Sequence, residues 1–188
     1  MLRILARSVL IYALLFTGTS YAKQVSGVDV AETLVSAQQE LKLNGAGTRT
    51  KFFVDMYVTA LYLPEVNQSG AEVIAADETM AIRLHIVSDF ITPKRMSDST
   101  RDGFVRSTGG NTAEIEADIE ALIVAFQDAV DKGDVFDLVY QPETGVTIYR
   151  NGEAKSSVGD LKFKQALFGI WLSDDPVQKG LRDDLLNS

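Results

Sequence analysis

The alternation of hydrophobic and polar residues predicts two groups of β-strands along the chain. In the first group, short strands over Val25–Val30 and Leu41–Leu43 precede the longest one, Phe52–Leu63, which is rich in Phe, Val, Tyr and Thr. A fourth strand follows within Thr79–Phe90, where apolar and polar residues alternate again. The second group lies nearer the C-terminus and comprises Asp134–Tyr140, Val146–Arg150 and Glu153–Val158. The dipeptide Asn151-Gly152 between the last two strongly favours a tight hairpin.

The two faces of the longest predicted strand differ in polarity. Residues on the first face are nearly all apolar: Phe52, Val54, Met56, Val58, Ala60 and Tyr62. Residues on the second face mix polar and apolar groups: Phe53, Asp55, Tyr57, Thr59, Leu61 and Leu63. A face that carries Tyr57 and Thr59 among apolar neighbours is typical either of a partly hydrated cleft or of a solvent-exposed sheet face.

Apolar residues at helical spacing predict helices between and after the strands. Their boundaries follow from Ser, Thr, Asn, Asp or Pro at the start and from Gly at the end. The predicted helices are Gly70–Ala76, one from Thr92-Pro93 to Gly109-Gly110, one from Asn111 or Thr112 to Gly133, one beginning at Asp160, and one beginning at Asp175-Pro176. This order of elements predicts an α+β domain with a mainly antiparallel sheet and helices packed on it.

Residues 1–22 have the pattern of a secretory signal peptide. Arg3 and Arg7 precede a short apolar run, and small residues end the segment at Ser20–Ala22. The apolar run is shorter than the roughly 20 residues of a membrane span, which disfavours the alternative of an uncleaved anchor. We therefore expect cleavage after Ala22. Residues 23–188 would then form a single domain in the bacterial periplasm or outside the cell, without stable membrane insertion.

The composition excludes several classes of protein. The chain contains no cysteine, so neither a disulfide nor a lipid anchor on an N-terminal cysteine can form. With 18 basic and 26 acidic residues, its net charge is −8. Such a surface repels nucleic acid and anionic membranes, so neither is predicted as a partner. The composition does not indicate an oligomeric state.

Residues for metal binding or nucleophilic catalysis are scarce. His85 is the only histidine, so zinc sites built on several His or Cys ligands are excluded. A Ser-His-Asp triad would need His85, in the middle of a strand, together with a serine that no motif marks. We therefore predict no metal, no cofactor and no catalytic nucleophile, and interpret His85 as an ordinary strand residue.

Arg49 is the candidate functional residue that the pattern singles out. It follows "NGAG", whose two glycines predict a turn that leads into the longest strand. The planar guanidinium suits a carboxylate or a phenolate, and the mixed strand face nearby carries Tyr57 and Thr59. Arg49 is interpreted either as an anion-binding residue or as a surface arginine paired with one of many acidic side chains. "NGAGTR" is not a phosphate loop, because its spacing differs and a strand follows it.

Two segments resemble the chalcone isomerase superfamily, and most closely its bacterial exported chalcone isomerase-like branch. "LNGAGTRTKFFVDMYVTALYL" resembles the opening strands of that superfamily, and "FKQALFGIWLSDDPVQKGLRDDLL" resembles its closing helices. The elements between them fit in order and length, so the resemblance covers most of residues 23–188. The fold that it implies is an open-faced β-sandwich, in which a large, mainly antiparallel sheet is layered with helices.

The resemblance implies an anion-binding role for Arg49. In the plant enzymes the arginine after G-A-G steadies an anionic oxygen during ring closure, and in fatty-acid-binding members it holds a carboxylate. The other catalytic positions differ. Tyr57 stands where the family has a threonine, "MSDSTRDGFVRST" lacks the family's tyrosine and asparagine, and the last polar position falls near Gln165. These departures argue against flavonoid ring closure.

Three functions are compatible with the sequence. In the first, a non-catalytic periplasmic protein binds a fatty acid or similar apolar carboxylate. Arg49 holds the carboxylate, Tyr57 donates a hydrogen bond to it, and Thr59 lines the cleft. In the second, an isomerase or lyase of the chalcone isomerase type stabilises an enolate or phenolate with Arg49 and Tyr57, on an enone or phenolic substrate. The third is a periplasmic scaffold without a small ligand. We prefer the first, because catalysis needs several aligned groups and only Arg49 matches.

Overall fold

The computed structural model describes residues 22–36, 38–126, 128 and 130–187. The predicted signal peptide therefore lies outside the described residues, except for Ala22. The strands that the structure describes are β1 (Ala22–Val25), β2 (Val28–Ala31), β3 (Thr33–Ser36), β4 (Gln39–Lys51), β5 (Val54–Leu63), β6 (Met80–Ile86), β7 (Val135–Gln141), β8 (Gly145–Arg150) and β9 (Glu153–Val158). The helices are α1 (Gly70–Ala75), α2 (Pro93–Ser107), α3 (Glu116–Ala125), α4 (Leu161–Leu172) and α5 (Lys179–Leu186).

Seven strands form one antiparallel sheet, in which each strand from β3 to β9 pairs with the next along the chain. The helices cover one face of this sheet, where the larger hydrophobic core lies. The hairpin of β1 and β2 forms a separate two-stranded sheet and packs with the opposite face, around Val30, Val58 and Tyr62. The predicted α+β fold, a mainly antiparallel sheet layered with helices, is confirmed.

From Val58 to Leu63 the alternation within β5 assigns each face of the strand to one core, whereas Met56 and Tyr57 both pack against the core under the helices. Val58, Ala60 and Tyr62 belong to the smaller cluster, whereas Leu61 and Leu63 belong to the core under the helices. The polar-apolar face of β5 is therefore covered by helices rather than exposed to solvent. This arrangement decides between the two interpretations that the sequence left open.

Helix starts are predicted correctly where a side chain caps the backbone locally. The Thr92 hydroxyl accepts a hydrogen bond from the Arg95 backbone N–H at 3.3 Å and caps α2. The Asp160 carboxylate accepts a hydrogen bond from the Phe163 backbone N–H at 3.0 Å and caps α4. Both caps satisfy a backbone donor that the first helical turn leaves without a partner.

Among the described residues, no helix is long and apolar enough to cross a membrane.

Three predicted helix boundaries are wrong. A turn follows Thr112, and α3 begins only after Ile115 and ends at Ala125, well before Gly133. The last helix begins at Lys179 rather than at Asp175-Pro176. The reason is a tertiary contact, since the Val177 N–H donates to the Ile170 carbonyl of α4 at 2.9 Å and holds this segment outside the helical ladder.

The strand boundaries near the N-terminal end also differ from the prediction. Val25–Val30 is not one strand, because Ser26 and Gly27 form the turn between β1 and β2 with positive φ angles of 45° and 79°. Phe52 and Phe53 are not strand residues, since they form the turn between β4 and β5. Their aromatic side chains favour strands on average, but the pairing of β4 with β5 places them at the point where the chain reverses.

The glycine-rich turn predicted at residues 45–47 is also wrong, because both glycines lie inside β4 and neither has a positive φ. Their role is steric. A Cβ on Gly45 would stand 2.2 Å from the backbone oxygen of Asp184, and one on Gly47 would stand 2.5 Å from the Asp184 carboxylate. The absence of side chains at these positions lets α5 lie directly against β4.

Candidate functional site

A cavity of about 440 Å³ lies between the sheet and helices α2, α3 and α4. Its volume is within the range of small-molecule sites. The apolar part of its wall comes from the sheet and the helices together and includes Met56, Leu84, Leu122, Phe126, Leu138 and Ile170. Arg49 and Tyr57 also line this cavity. The site therefore combines an apolar interior with a few polar groups.

Arg49 is positioned by two neutral oxygen atoms. It is partly buried on β4, directly opposite Tyr57 of β5 in the strand register. Its Nη1 donates to the backbone carbonyl of Thr50 at 2.8 Å and to the side-chain carbonyl of Gln178 at 3.0 Å. The Tyr57 hydroxyl oxygen lies close enough to accept a weak hydrogen bond from the guanidinium, and none of the ion pairs among the described residues involves Arg49. Its guanidinium is thus fixed in place with donors to spare.

Gln178 connects α5 to the strand that carries Arg49. Its side-chain oxygen accepts from the backbone N–H of Thr50 at 3.0 Å as well as from Arg49, and its amide nitrogen donates to the Thr48 carbonyl at 3.2 Å. Gln178 is therefore a positioning residue for Arg49. Gln178 was not among the predicted site residues, and no local sequence signal marks it, because 129 positions separate it from Arg49.

Tyr57 is held by Trp171 of α4. The indole Nε1–H donates to the Tyr57 hydroxyl oxygen at 3.3 Å, and both residues line the cavity. Burial raises the pKa of Tyr57, against the opposing effects of the Trp171 hydrogen bond and the Arg49 charge. The phenol therefore stays protonated at neutral pH and can donate its own proton to an anion beside Arg49.

Trp171 has a second role that its position in the sequence did not indicate. The apolar stripe of its helix identified it as a core residue, and it is indeed only 5% exposed. Its ring also forms part of the cavity wall. Because it is the only tryptophan of the chain, its fluorescence reports on this cavity alone.

Thr59 and Gln165 lie outside the cavity. Thr59 is fully buried in β5, is not part of the cavity wall, and its hydroxyl has no hydrogen-bond partner among the described residues. Gln165 lines a smaller depression of about 270 Å³ together with Lys162. Of the three predicted binding residues, the structure brings Arg49 and Tyr57 together and leaves Thr59 apart.

His85 lies on the face of β6 that points away from the helices, together with Arg83. Burial lowers the pKa of His85, and the positive charge of Arg83 lowers it further, against the opposing effect of Asp137. His85 does not line the cavity. Within the part of the chain that the structure describes, no group of three or more His, Cys, Asp or Glu side chains is arranged to hold a metal ion.

An antiparallel sheet with helices on one face, and a cavity between the two layers, defines an open-faced α+β sandwich with a small-molecule-sized site. The chain belongs to the chalcone isomerase-like family, whose sequence profile matches residues 22–187. One solved structure with a similar fold is the Arabidopsis thaliana fatty-acid binding protein AtFAP1, with a TM-score of 0.62 and 17% sequence identity. The alignment covers 83% of this chain and 96% of AtFAP1. No curated protein matches the chain in sequence.

Proposed function

We propose that the protein binds a fatty acid or a similar apolar carboxylic acid in this cavity and does not transform it. The observation that carries the proposal is the position of Arg49 at a largely apolar cavity, with Nη1 engaged by neutral oxygens. The donors on Nη2 and Nε form the planar fork that suits both oxygens of a carboxylate. Tyr57 adds a protonated hydroxyl at the same site, and the hydrocarbon chain occupies the apolar interior.

Two further considerations support binding over catalysis. AtFAP1, which shares the fold, is a fatty-acid binding protein. In addition, α2 contains the segment "MSDSTRDGFVRST" and contributes Ser99, Thr100 and Asp102 to the cavity wall, without the tyrosine and asparagine that resemblance to the plant enzymes requires. The site therefore has groups to hold an anion, but it lacks the set that ring closure uses.

We also propose that the protein acts after export, in the bacterial periplasm or outside the cell. This proposal rests on the signal-peptide pattern of residues 1–22 alone. N-terminal sequencing of the mature protein should begin at Lys23. A mature chain that retains Met1 would contradict it.

Replacing Arg49 with alanine should weaken the binding of a long-chain carboxylate such as oleate by about 10- to 100-fold. The loss corresponds to about 1.5–3 kcal/mol, the value of hydrogen bonds to a charged group. Arg49→Lys should recover only part of the affinity, because a lysine lacks the planar fork. Gln178→Ala should give an intermediate loss, because it leaves the charge in place but removes its support. Trp171 fluorescence measures each affinity directly.

Lys42→Ala is the matched control, since Lys42 is an exposed cation on the same strand, paired with Glu65 outside the cavity. This variant should bind oleate like the wild type. Equal affinity of Arg49→Ala and the wild type would overturn the proposal.

The same preparations should close a 2′-hydroxychalcone no faster than buffer. An acceleration that Arg49→Ala abolishes would favour the isomerase instead.

A further inference from the structure

The turn between β4 and β5 exposes two aromatic side chains. Phe52 is 85% exposed and Phe53 is fully exposed. Of the eight phenylalanines among the described residues, five are buried and the third exposed one is Phe90. Two adjacent solvated phenylalanine rings leave a large apolar surface in water, which the fold itself does not use.

The backbone at this turn is also unfavourable for phenylalanine. Phe52 and Phe53 have φ angles of 51° and 64°, in the left-handed region, where a side chain is disfavoured. The turn between β8 and β9 has the same form, with φ angles of 52° and 81°, and there the chain has Asn151-Gly152, the preferred pair. An outlier of this kind, in residues with exposed side chains, indicates a function for the side chains themselves.

The Phe52-Phe53 turn lies between two residues of the cavity wall. Lys51 before the turn and Met56 after it both line the cavity. The chain leaves β6 at the same end of the sheet, because β6 is antiparallel to β5, and the Val87 N–H donates to the Met56 carbonyl at 3.1 Å. That loop carries the exposed Phe90 immediately before Ile91, which lines the cavity. All three exposed phenylalanines therefore lie at the same end of the sheet, next to residues of the cavity wall.

The ionic side chains of the cavity wall are mostly positive, although the whole chain carries a net charge of −8. The basic ones are Arg49, Lys51, Arg95 and Arg106, and the acidic one is Asp102. Lys51 and Arg95 are exposed, and the Lys51 ammonium lies 5.9 Å from the centre of the Phe52 ring. Arg106 is also exposed but pairs with Asp175 at 3.6 Å, and the exposed Asp55 and Asp89 are the carboxylates nearest in sequence to the turn and to Phe90. Exposed aromatic rings beside exposed cations are characteristic of proteins that bind the surface of anionic membranes.

We propose that this end of the molecule, the aromatic rim formed by Phe52, Phe53 and Phe90 with Lys51 and Arg95, docks reversibly on a lipid bilayer that contains anionic lipid. The rings enter the boundary between headgroups and acyl chains, and the cations contact the headgroups. The cavity then opens toward the bilayer, so that a poorly soluble acid passes between the two without crossing water. The transfer of the acid between bilayer and cavity rests on the proposed binding function, whereas the docking does not rest on it.

The test uses the double variant Phe52→Asn with Phe53→Gly, which gives this turn the preferred pair. With vesicles of equal parts phosphatidylcholine and phosphatidylglycerol, the wild-type protein should cosediment, and added salt should weaken its binding. The double variant should bind at least about tenfold more weakly, because it lacks the two rings that the wild type buries in the bilayer. Its melting temperature should equal or exceed that of the wild type, so unfolding cannot explain the loss.

Val66→Ser is the matched control, because Val66 is an exposed apolar residue beyond the opposite end of β5. It should bind the vesicles like the wild type. The proposal is overturned if the double variant binds the vesicles as strongly as the wild type. It is also overturned if the wild-type protein does not bind these vesicles. Equal, salt-independent binding to pure phosphatidylcholine overturns the assignment to anionic lipid.

A second measurement separates docking from ligand binding. Transfer of cis-parinaric acid from the mixed vesicles to the protein is followed by energy transfer from Trp171. It should slow at least about tenfold in the double variant, in proportion to its weaker docking, while oleate binding in the absence of vesicles stays unchanged. If neither protein binds oleate but the wild type still docks, the proposed function fails and the docking surface stands.

Discussion

Replacing Lys164 with methionine is expected to lower the free energy of unfolding by about 2–4 kcal/mol at pH 7. Lys164 of α4 is completely buried, and its ammonium donates to the carbonyls of Val73, Ile74 and Ala76 at 2.7, 3.0 and 2.7 Å. These oxygens end α1, where the helix provides no donors. Methionine keeps the length of the side chain but leaves three carbonyls without this partner, each at a cost of about 1–3 kcal/mol.

Part of that cost is offset, because the wild-type protein buries a charge. Burial lowers the pKa of Lys164 from 10.5 to about 8, although the nearby Asp77 and Glu78 oppose the change. Between pH 8 and 10.5 the unfolded chain therefore holds a proton that the folded chain has lost, so the stability of the wild type rises with pH in this window. The stability difference between the wild type and Lys164→Met should grow by about 3 kcal/mol across it.

Chemical unfolding of both proteins between pH 7 and 10.5 measures this effect. Lys162→Met is the matched control, because Lys162 lies on the same helix but is exposed, with an ion pair to Glu114. It should change the stability by less than about 0.5 kcal/mol, without the pH-dependent difference. A Lys164→Met protein as stable as the wild type would show that Lys164 does not hold the end of α1, and a stability difference that stays constant between pH 8 and 10.5 would show that burial does not lower the pKa of Lys164.

Replacing Gly45 with alanine is expected to destabilise the fold by about 3 kcal/mol or more, at the upper end of overpacking. The new Cβ would lie 2.2 Å from the Asp184 backbone oxygen and 2.5 Å from that of Leu185, so the backbone of α5 would have to move. This movement would break the hydrogen bond of 2.8 Å from the Asn44 side chain to the Leu185 carbonyl. It would also shift Gln178 at the start of α5, so the affinity for oleate should fall together with the stability.

Gly180→Ala provides the control on the helix that moves. Gly180 lies in α5, and a Cβ there would meet no atom within 4 Å. This variant should be as stable as the wild type or more stable, by up to about 1 kcal/mol, because alanine favours a helix over glycine. Thermal melts measure the stability of both variants, and Trp171 fluorescence measures their affinity for oleate. A Gly45→Ala protein with wild-type stability and affinity would contradict the close packing of β4 and α5.

The candidate site was only partly predictable. A motif resemblance identified Arg49, and the alternation of β5 placed Tyr57 near it. The same alternation placed Thr59 on the face of Tyr57, yet Thr59 is fully buried and is not part of the cavity wall. Gln178 and Trp171 could not be assigned, since each acts through a partner more than 100 positions away.

By itself, the sequence determined the order of strands and helices from β4 onward, the caps at Thr92 and Asp160 and the hairpin at Asn151-Gly152. Each of these depends on residues that are neighbours along the chain. Only the tertiary structure decided that Gly45 allows α5 to pack closely on β4 instead of forming a turn, and that Lys164 caps the C-terminal end of α1. These roles arise from contacts between elements far apart in sequence, and such contacts leave no local pattern of spacing or polarity.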